Sequence, residues 1–407
     1  MNPKVLGEIS AFITKGATPT TYGYSWETFG VPFLRSECVS DHGLDMRQSM
    51  SISKNADNAL RRSRVQDGDI LMTITGNVGR VVRLHGVGAA NINQHIARIR
   101  VMDRNFDPRF IYHYLSQQTM REYFGSIVTG QAYPQISLVQ VRSTLVPCLP
   151  RTEQQRMADA LDDADDLIAT LERLIAKKQA IKQGMMQQFL TGKTRLPGFT
   201  GEWVRTAIAA QSVMKARIGW QGLKTKEYRS SGEYSLVGGT EFVDGRVDWG
   251  ATPFVDKWRF DQDQHIQLRV GDVLLTKDGS IGKTAYVDFL PGPATLNSGV
   301  FVIRPVRDAY DSRFFYLMLR SRVFEDFLAR LSAGSTISHL YQRDLVTLEL
   351  ELPPTLAEQR MVAGAMFEAE NEIVVLRQRL TKARAIKRGM MQQLLTGRVR
   401  LPVEDAE

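Results

Sequence analysis

An internal repeat constrains this chain more than any other feature. Ala180–Pro197 reads AIKQGMMQQFLTGKTRLP, and Ala385–Pro402 reads AIKRGMMQQLLTGRVRLP. Fourteen of those 18 positions are identical, at an offset of 205. Just upstream, Gln155-Arg156-Met157 returns as Gln359-Arg360-Met361, at an offset of 204. A chain of 407 residues is too long for one ordinary domain, and the repeat divides it into two copies of a unit of about 200 residues.

The earlier part of each unit repeats more faintly. Gly68-Asp69-Ile70-Leu71 returns as Gly271-Asp272-Val273-Leu274, and Gly76-Asn77-Val78-Gly79-Arg80 as Gly279-Ser280-Ile281-Gly282-Lys283, both at an offset of 203. Asn93 and Arg100 match Asn297 and Arg304. Phe110-Ile111-Tyr112 matches Phe314-Phe315-Tyr316, and Ile136-Ser137 matches Ile337-Ser338. Each unit thus reads as a diverged lobe followed by a well-kept segment. The lobes read as mixed α/β. Asp69–Thr75, Val81–Leu84 and Ala97–Val101 predict strands, and Phe110–Phe124 predicts one amphipathic helix. The second lobe repeats this with Asp272–Lys277, Ala285–Phe289, Val300–Pro305 and a helix over Arg313–Leu331.

The kept segments predict long helices. Met157, Leu161, Ala164, Ile168, Leu171 and Ile175 advance in steps of four and three. Val362, Met366, Ala369, Ile373, Leu376 and Leu380 do the same 205 residues later. Such a heptad seam packs helix against helix. Pro150 and Pro354 precede the helices. Thr191-Gly192 and Thr396-Gly397 end them, with Pro197 and Pro402 beyond. Thr152–Leu190 would span about 58 Å at 1.5 Å per residue. Both helices are acidic early and basic late: Asp162, Asp163, Asp165, Asp166 and Glu172 precede Arg173, Lys177, Lys178 and Lys182, and Glu368, Glu370 and Glu372 precede Arg377, Lys382, Arg384 and Lys387. A parallel pair would set acid against acid, so the charges predict an antiparallel coiled coil. The expected architecture is α+β: lobe 1–150, helix 151–197, lobe 198–352, helix 353–402 and a tail 403–407. Two lobes on an antiparallel pair would be related by an approximate two-fold axis.

Composition excludes several functions. No run approaches the roughly 18 apolar residues of a membrane span, and Met1–Thr14 lacks a signal-peptide pattern. Two cysteines, Cys38 and Cys148, and 6 histidines leave no disulfide framework and no Cys/His zinc cluster, so a reducing cytoplasm is expected. Gly282-Lys283-Thr284 looks like the end of a phosphate loop, but Lys277 stands where that motif needs its first Gly. Leu352-Pro353-Pro354-Thr355 lacks the polar start and aromatic end of an adenine-methyltransferase loop. No zinc-protease, hydrolase-elbow or dinucleotide motif appears. The chain is therefore expected to carry no active site and no metal.

The excess charge favours a polyanion. Lys and Arg number 52 against 44 Asp and Glu, for a net charge of +8. Residues 1–150 hold 16 basic against 11 acidic residues, and residues 199–350 hold 19 against 18. Arg61-Arg62-Ser63-Arg64, and Lys224-Thr225-Lys226 with Tyr228-Arg229, are the densest basic loops. They read either as solvated surface or as phosphate contacts.

Leu190-Thr191-Gly192-Lys193-Thr194-Arg195-Leu196-Pro197-Gly198-Phe199, with Gly201-Glu202-Trp203 after it, resembles the specificity subunit of type I restriction–modification systems. The Glu153-Gln154-Gln155-Arg156-Met157 helix start and the Gly-Asp-Ile-Leu…Gly…Gly lobe pattern are also similar to that family. The resemblance covers essentially the whole chain. It implies two target-recognition lobes, each reading one half of a split duplex DNA site. It implies helices that space the lobes and dock two methyltransferase subunits, through which restriction subunits join. S-adenosylmethionine, ATP and Mg are then expected on those partner subunits only. A coiled-coil scaffold without DNA affinity, and the specificity subunit of a modification-only complex, are the alternatives.

Residues shared by both lobes cannot explain a difference between half-sites, so Gly68, Asp69, Gly76, Gly79, Asn93 and their counterparts read as scaffold. Candidate DNA contacts come from unshared polar positions. They are Lys15, Arg35, Arg47, Arg61, Arg62, Arg64 and Tyr133 in the first lobe. In the second they are Lys215, Arg217, Lys224, Lys226, Arg229, Lys257, Arg259, Tyr341 and Arg343. Met185, Met186 and Gln187, repeated as Met390, Met391 and Gln392, are candidate docking residues for a partner. A methionine pair suits an adaptable apolar contact, though the same residues could finish the intramolecular seam.

Overall fold

Ile70-Leu71-Met72-Thr73 is a strand buried on both faces, and that explains its unbroken apolar run. Successive side chains of a strand point to opposite sides. Ile70 and Met72 enter one core with Phe110, Ile111 and Leu161, and Leu71 enters a second with Leu34, Val82 and Ile92. The second lobe repeats the division. Val273 and Leu275 face a core with Phe314, Phe315 and Met366, whereas Leu274 faces one with Val237, Ala285 and Leu296.

The computed structural model describes residues 2–41, 43–130, 132–218, 222–332 and 339–395. The chain divides into two compact units, one of residues 1–173 with 377–407 and one of residues 174–376. Each unit therefore holds one lobe, the nearer half of one long helix and the farther half of the other.

In the first unit the strands that organise the lobe include β1 (Thr14–Lys15), β2 (Val31–Leu34), β3 (Ile70–Thr73), β4 (Val81–Arg83), β5 (Ala90–Ile92) and β6 (Ile96–Ile99). An antiparallel sheet runs β1-β6-β3-β4, and β2 pairs in parallel with β5 in a second sheet. The second unit has β7 (Ser212–Ala216), β8 (Tyr234–Val237), β9 (Val273–Thr276), β10 (Thr284–Tyr286), β11 (Ala294–Leu296) and β12 (Val300–Pro305). Its sheets have the same plan, with β7-β12-β9-β10 antiparallel and β8 parallel to β11.

The shared residues do close this framework. Asp69 accepts from Arg100 Nε and Nη2 at 2.6 and 2.7 Å. Asp272 accepts from Arg304 at the same two distances. Each carboxylate is buried and also accepts a backbone N–H, from Gln66 or Arg269. The glycines at 76, 79, 279 and 282 have φ between 68° and 83°, a conformation an L side chain rarely adopts. Between them they turn β3 into β4 and β9 into β10.

Three sequence expectations need correction. Phe110–Phe124 is not one helix but two, Pro108–Leu115 and Gln118–Ser126. Arg313–Leu331 likewise splits into Ser312–Met318 and Arg322–Leu331. The apolar spacing runs through the first break because both pieces bury the same side. Ser116 Oγ and Gln117 Nε2 bond the carbonyls of His113 and Tyr114 there, competing with the helix ladder.

The second correction concerns the helix starts. The long helices are Arg151–Phe189 and Leu356–Leu394. Gln154 accepts the Asp107 N–H at 2.9 Å and donates to Leu149 O, and Gln359 accepts the Asp311 N–H at 2.8 Å and donates to Pro353 O. The true counterpart of Gln359 is therefore Gln154, at the offset of 205. The string match of Gln155-Arg156-Met157 with Gln359-Arg360-Met361 is one residue out of phase: Met157 is fully buried, whereas Met361 is 54% exposed. Third, the Ile136 N–H bonds Ile74 O, and the corresponding Lys277 O is taken by the Leu340 N–H. Leu340 thus fills the place of Ile136. Ile337 and Ser338 lie outside the described residues, as do Thr396, Gly397, Pro402 and the tail.

The heptad seam is as expected, with Met157, Leu161, Leu171, Ile175, Val362, Met366, Ile373 and Leu376 all buried. Ion pairs set the helix direction within each unit. In the first, Asp165 meets Lys387 at 2.5 Å and Glu172 meets Arg384 at 2.6 Å. In the second, Lys178 meets Glu372 at 2.5 Å and Lys182 meets Glu370 at 2.8 Å. One number rises as the other falls, so the pairing is antiparallel in both. No helix among the described residues is long and apolar enough to cross a membrane.

Candidate nucleic-acid interface

In the first lobe most candidate cations lie on the surface beside β1, at the edge of its sheet. Lys15 is exposed on that strand. The 3-10 turn Arg61–Ser63 packs on β1, with Arg61 and Arg62 outward and Ser63 buried. Ser63 Oγ donates to Asn91 Oδ1 at 2.7 Å, which holds the turn on β5. Arg64 instead binds Asp57 at 2.6 Å and also bonds Asn58, so its guanidinium is committed locally. Arg35 donates twice to Gln48 O at 3.3 Å, and the exposed Arg47 pairs with Asp45 at 2.8 Å. Tyr133 is 74% exposed. Its loop is pinned beside the glycine turn by the Gly76 N–H to Pro134 O, at 2.8 Å.

The second lobe disposes of its cations differently. Arg217 is only 1% exposed. It donates to Leu296 O at 2.9 Å, Gln262 Oε1 at 3.2 Å and Thr295 Oγ1 at 3.3 Å. Its guanidinium is spent on the lobe interior, and this removes it from the candidate base readers. Arg259 is held by both oxygens of Glu227, at 2.8 and 2.9 Å, and stacks 4.3 Å from the Trp258 ring centre. It too acts as a clamp. Arg229 pairs with Asp256 at 3.1 Å and Lys257 with Asp261 at 2.5 Å. Lys215, Lys224 and Lys226 remain exposed. Tyr341 caps the short helix Gln342–Leu345, with Arg343 4.6 Å from its ring centre.

The candidate docking residues divide. Met185 and Met186 are half-buried against the core of the second lobe, and Met390 and Met391 against that of the first. These methionines complete intramolecular packing, while Gln187 and Gln392 stay exposed. Among the described residues no cluster of His, Cys, Asp or Glu could hold a metal ion.

Where each lobe meets its long helix, the two units use different chemistry. In the first unit buried His113 bonds Asp162 at 2.8 Å, and Arg83 reaches the same carboxylate at 3.3 Å. Burial pushes the His113 imidazole below its ordinary pKa, with the Asp162 bond opposing. Burial works against the Asp162 charge, but His113, Arg83 and Arg109 more than offset it and hold the carboxyl below its usual range. In the second unit the rings of Tyr286, Tyr316 and Phe367 pack with centroids 5.4 to 5.8 Å apart.

Sequence reasoning missed Phe12, Arg98 and Arg142 in the first lobe. Phe12 carries a readable signal: it precedes buried Ile13 and Thr14 and is itself 57% exposed, an aromatic turned outward next to Lys15.

Known proteins match this organisation. A family model described as the type I restriction modification DNA specificity domain matches residues 1–183 and 218–383. The type I restriction enzyme MjaVIII specificity subunit of Methanocaldococcus jannaschii is 24% identical over 366 residues, covering 83% of this chain and 80% of the relative. The EcoBI specificity subunit of Escherichia coli is 25% identical over 179 residues, covering 43% of this chain and 36% of its own. A crystal structure of the type I restriction–modification S subunit from M. genitalium shares the fold with a TM-score of 0.66 at 14% identity, covering 97% of this chain and 95% of that one. A structure from a study of type I restriction–modification complex assembly gives a TM-score of 0.53 at 17% identity, covering 98% of each chain. With the family model matched over both lobes and most of both long helices, this chain belongs to the type I restriction–modification DNA specificity family.

Proposed function

We propose that this chain selects the DNA sequence for a type I restriction–modification complex, each lobe reading one half of a bipartite, asymmetric site. The observation that carries this reading is the repeat: two lobes share sheet order and internal clamps yet differ in the polar residues of their surfaces. A common scaffold with two different faces suits two different half-sites. The helices, antiparallel in each unit, act as the spacer, and such a pairing suits half-sites met in opposite orientations. Two methyltransferase subunits dock on the helices, where Gln187 and Gln392 remain exposed, and restriction subunits join through them. The chain contributes recognition and no active site; S-adenosylmethionine, ATP and Mg belong to the partners.

Single-molecule methylome sequencing, with the chain present and absent, tests this. The expected result is a bipartite methylated motif that disappears with the chain. Lengthening both helices by one heptad should change the gap and leave both half-sites intact. A gap unchanged by the insertion would count against the spacer role.

A further inference from the structure

Two guanidinium groups lie over the Phe12 ring, with Arg62 5.0 Å and Arg142 4.8 Å from its centre. Arg98, on β6, donates to Arg64 O at 2.8 Å and Phe12 O at 3.4 Å, and Arg142 donates to Ile13 O at 2.7 Å. Arg61 and Lys15 are exposed beside them. None of these five cations has a carboxylate within ion-pair distance among the described residues. The patch therefore presents donors and positive charge with little internal neutralisation. It holds no carboxylate or amide side chain of the kind that reads adenine or cytosine edges.

Strand register identifies what stands at the same places in the second lobe. Arg98 pairs with Thr14 and Leu71, and Val302 pairs with Lys215 and Leu274, so Val302 replaces Arg98 and Val213 replaces Phe12. The turn Arg61–Ser63 corresponds to Gln264–Ile266, placing Gln264 and His265 where Arg61 and Arg62 stand. Counting from the helix caps Ser137 and Tyr341, Val346 replaces Arg142. Each arginine of the patch has lost its counterpart.

We propose that this edge of the first lobe grips the phosphate backbone of duplex DNA, and that the second lobe has no equivalent grip. The proposal rests on the DNA-recognition reading above. The aromatic ring orders Arg62 without neutralising it, and an ordered guanidinium fork suits a phosphate. The first lobe then supplies a sequence-independent hold, while discrimination is left to residues elsewhere on both lobes.

The test is a salt titration of full-length protein binding to a labelled duplex of random sequence. R61Q/R62Q removes two exposed cations, and Q264A/H265A is the matched change in the second lobe. The slope of log affinity against log salt should fall by about 1.8 for R61Q/R62Q, at about 0.9 per phosphate contact, and stay unchanged for Q264A/H265A. Thermal melting of both should match wild type, and the methylated motif in cells should keep every base. An unchanged slope in R61Q/R62Q, with wild type still salt-dependent, overturns the proposal and leaves the recognition reading intact. A relaxed base within the motif makes these arginines readers and also overturns it. Wild type without salt-dependent DNA binding overturns the recognition reading itself.

Discussion

The first and second lobes share a sheet framework and differ in how they use their arginines. Both run the same sheet order and both bury an aspartate under a forked arginine, Asp69 with Arg100 and Asp272 with Arg304. On the surface, the first lobe gathers arginines that have no carboxylate partner around Phe12, whereas the second ties Arg229, Lys257 and Arg259 to Asp256, Asp261 and Glu227 and buries Arg217. Nearly equal numbers of basic residues thus give unequal surfaces. What matters for a polyanion is how many cations lack a carboxylate, and sequence counts alone do not reveal that number.

The shared interior predicts the largest effects. Asp69→Ala and Asp272→Ala each leave a forked arginine without its buried partner, at a cost of about 3–5 kcal/mol. Thermal or denaturant unfolding should show both variants strongly destabilised, and to a similar degree. A variant that loses nothing would mean that its clamp is not part of the common scaffold.

A smaller effect separates surface from interior arginine. Arg217→Ala strands Leu296 O and opens space in the core of the second lobe, costing about 2–3 kcal/mol. Arg62→Gln should leave the melting temperature where it is. If Arg217→Ala melts like wild type and instead relaxes a base of the methylated motif, the sequence assignment of Arg217 as a reader is restored.

The smallest expected effect concerns the lobe–helix contacts. Leu317 stands in the second lobe where the first has His113. Burial holds the folded imidazole below the ordinary value, so between the two values the unfolded chain binds the additional proton. The stability this histidine allows is intact above about pH 6.5 and declines as the pH falls toward its folded value. Melting curves between pH 8 and pH 5 should show a shallower acid-side decline in His113→Gln than in wild type. Equal declines would mean that His113 is not the titrating group.

Much of the fold is legible in the amino-acid sequence alone. The duplication and the scaffold role of Asp69 and Asp272 follow from residues that recur at a near-constant offset, and the antiparallel pairing follows from the acidic start and basic end of each long helix. The site is less legible. Tyr133, Lys215, Lys224 and Lys226 are exposed, but in the sequence Arg217 looks like any other basic residue near a lobe edge. Its burial depends on Thr295 and Leu296, about 80 residues away along the chain. Arg98 and Arg142 give no signal of their own, because nothing nearby in sequence links them to Phe12.

Periodicity and repetition are local or self-referential signals, so the amino-acid sequence by itself determined the two-unit plan, the seam and the helix polarity. Helix phase was decided only by packing: Gln154 meets the backbone of residues 105 and 107, and Gln359 that of residue 311, and that contact outranks the matching string one residue on. Charge availability was likewise decided only in three dimensions. The Arg217 guanidinium is spent on a carbonyl and side chains 45 to 79 residues away along the chain, and only the folded lobe brings them beside it.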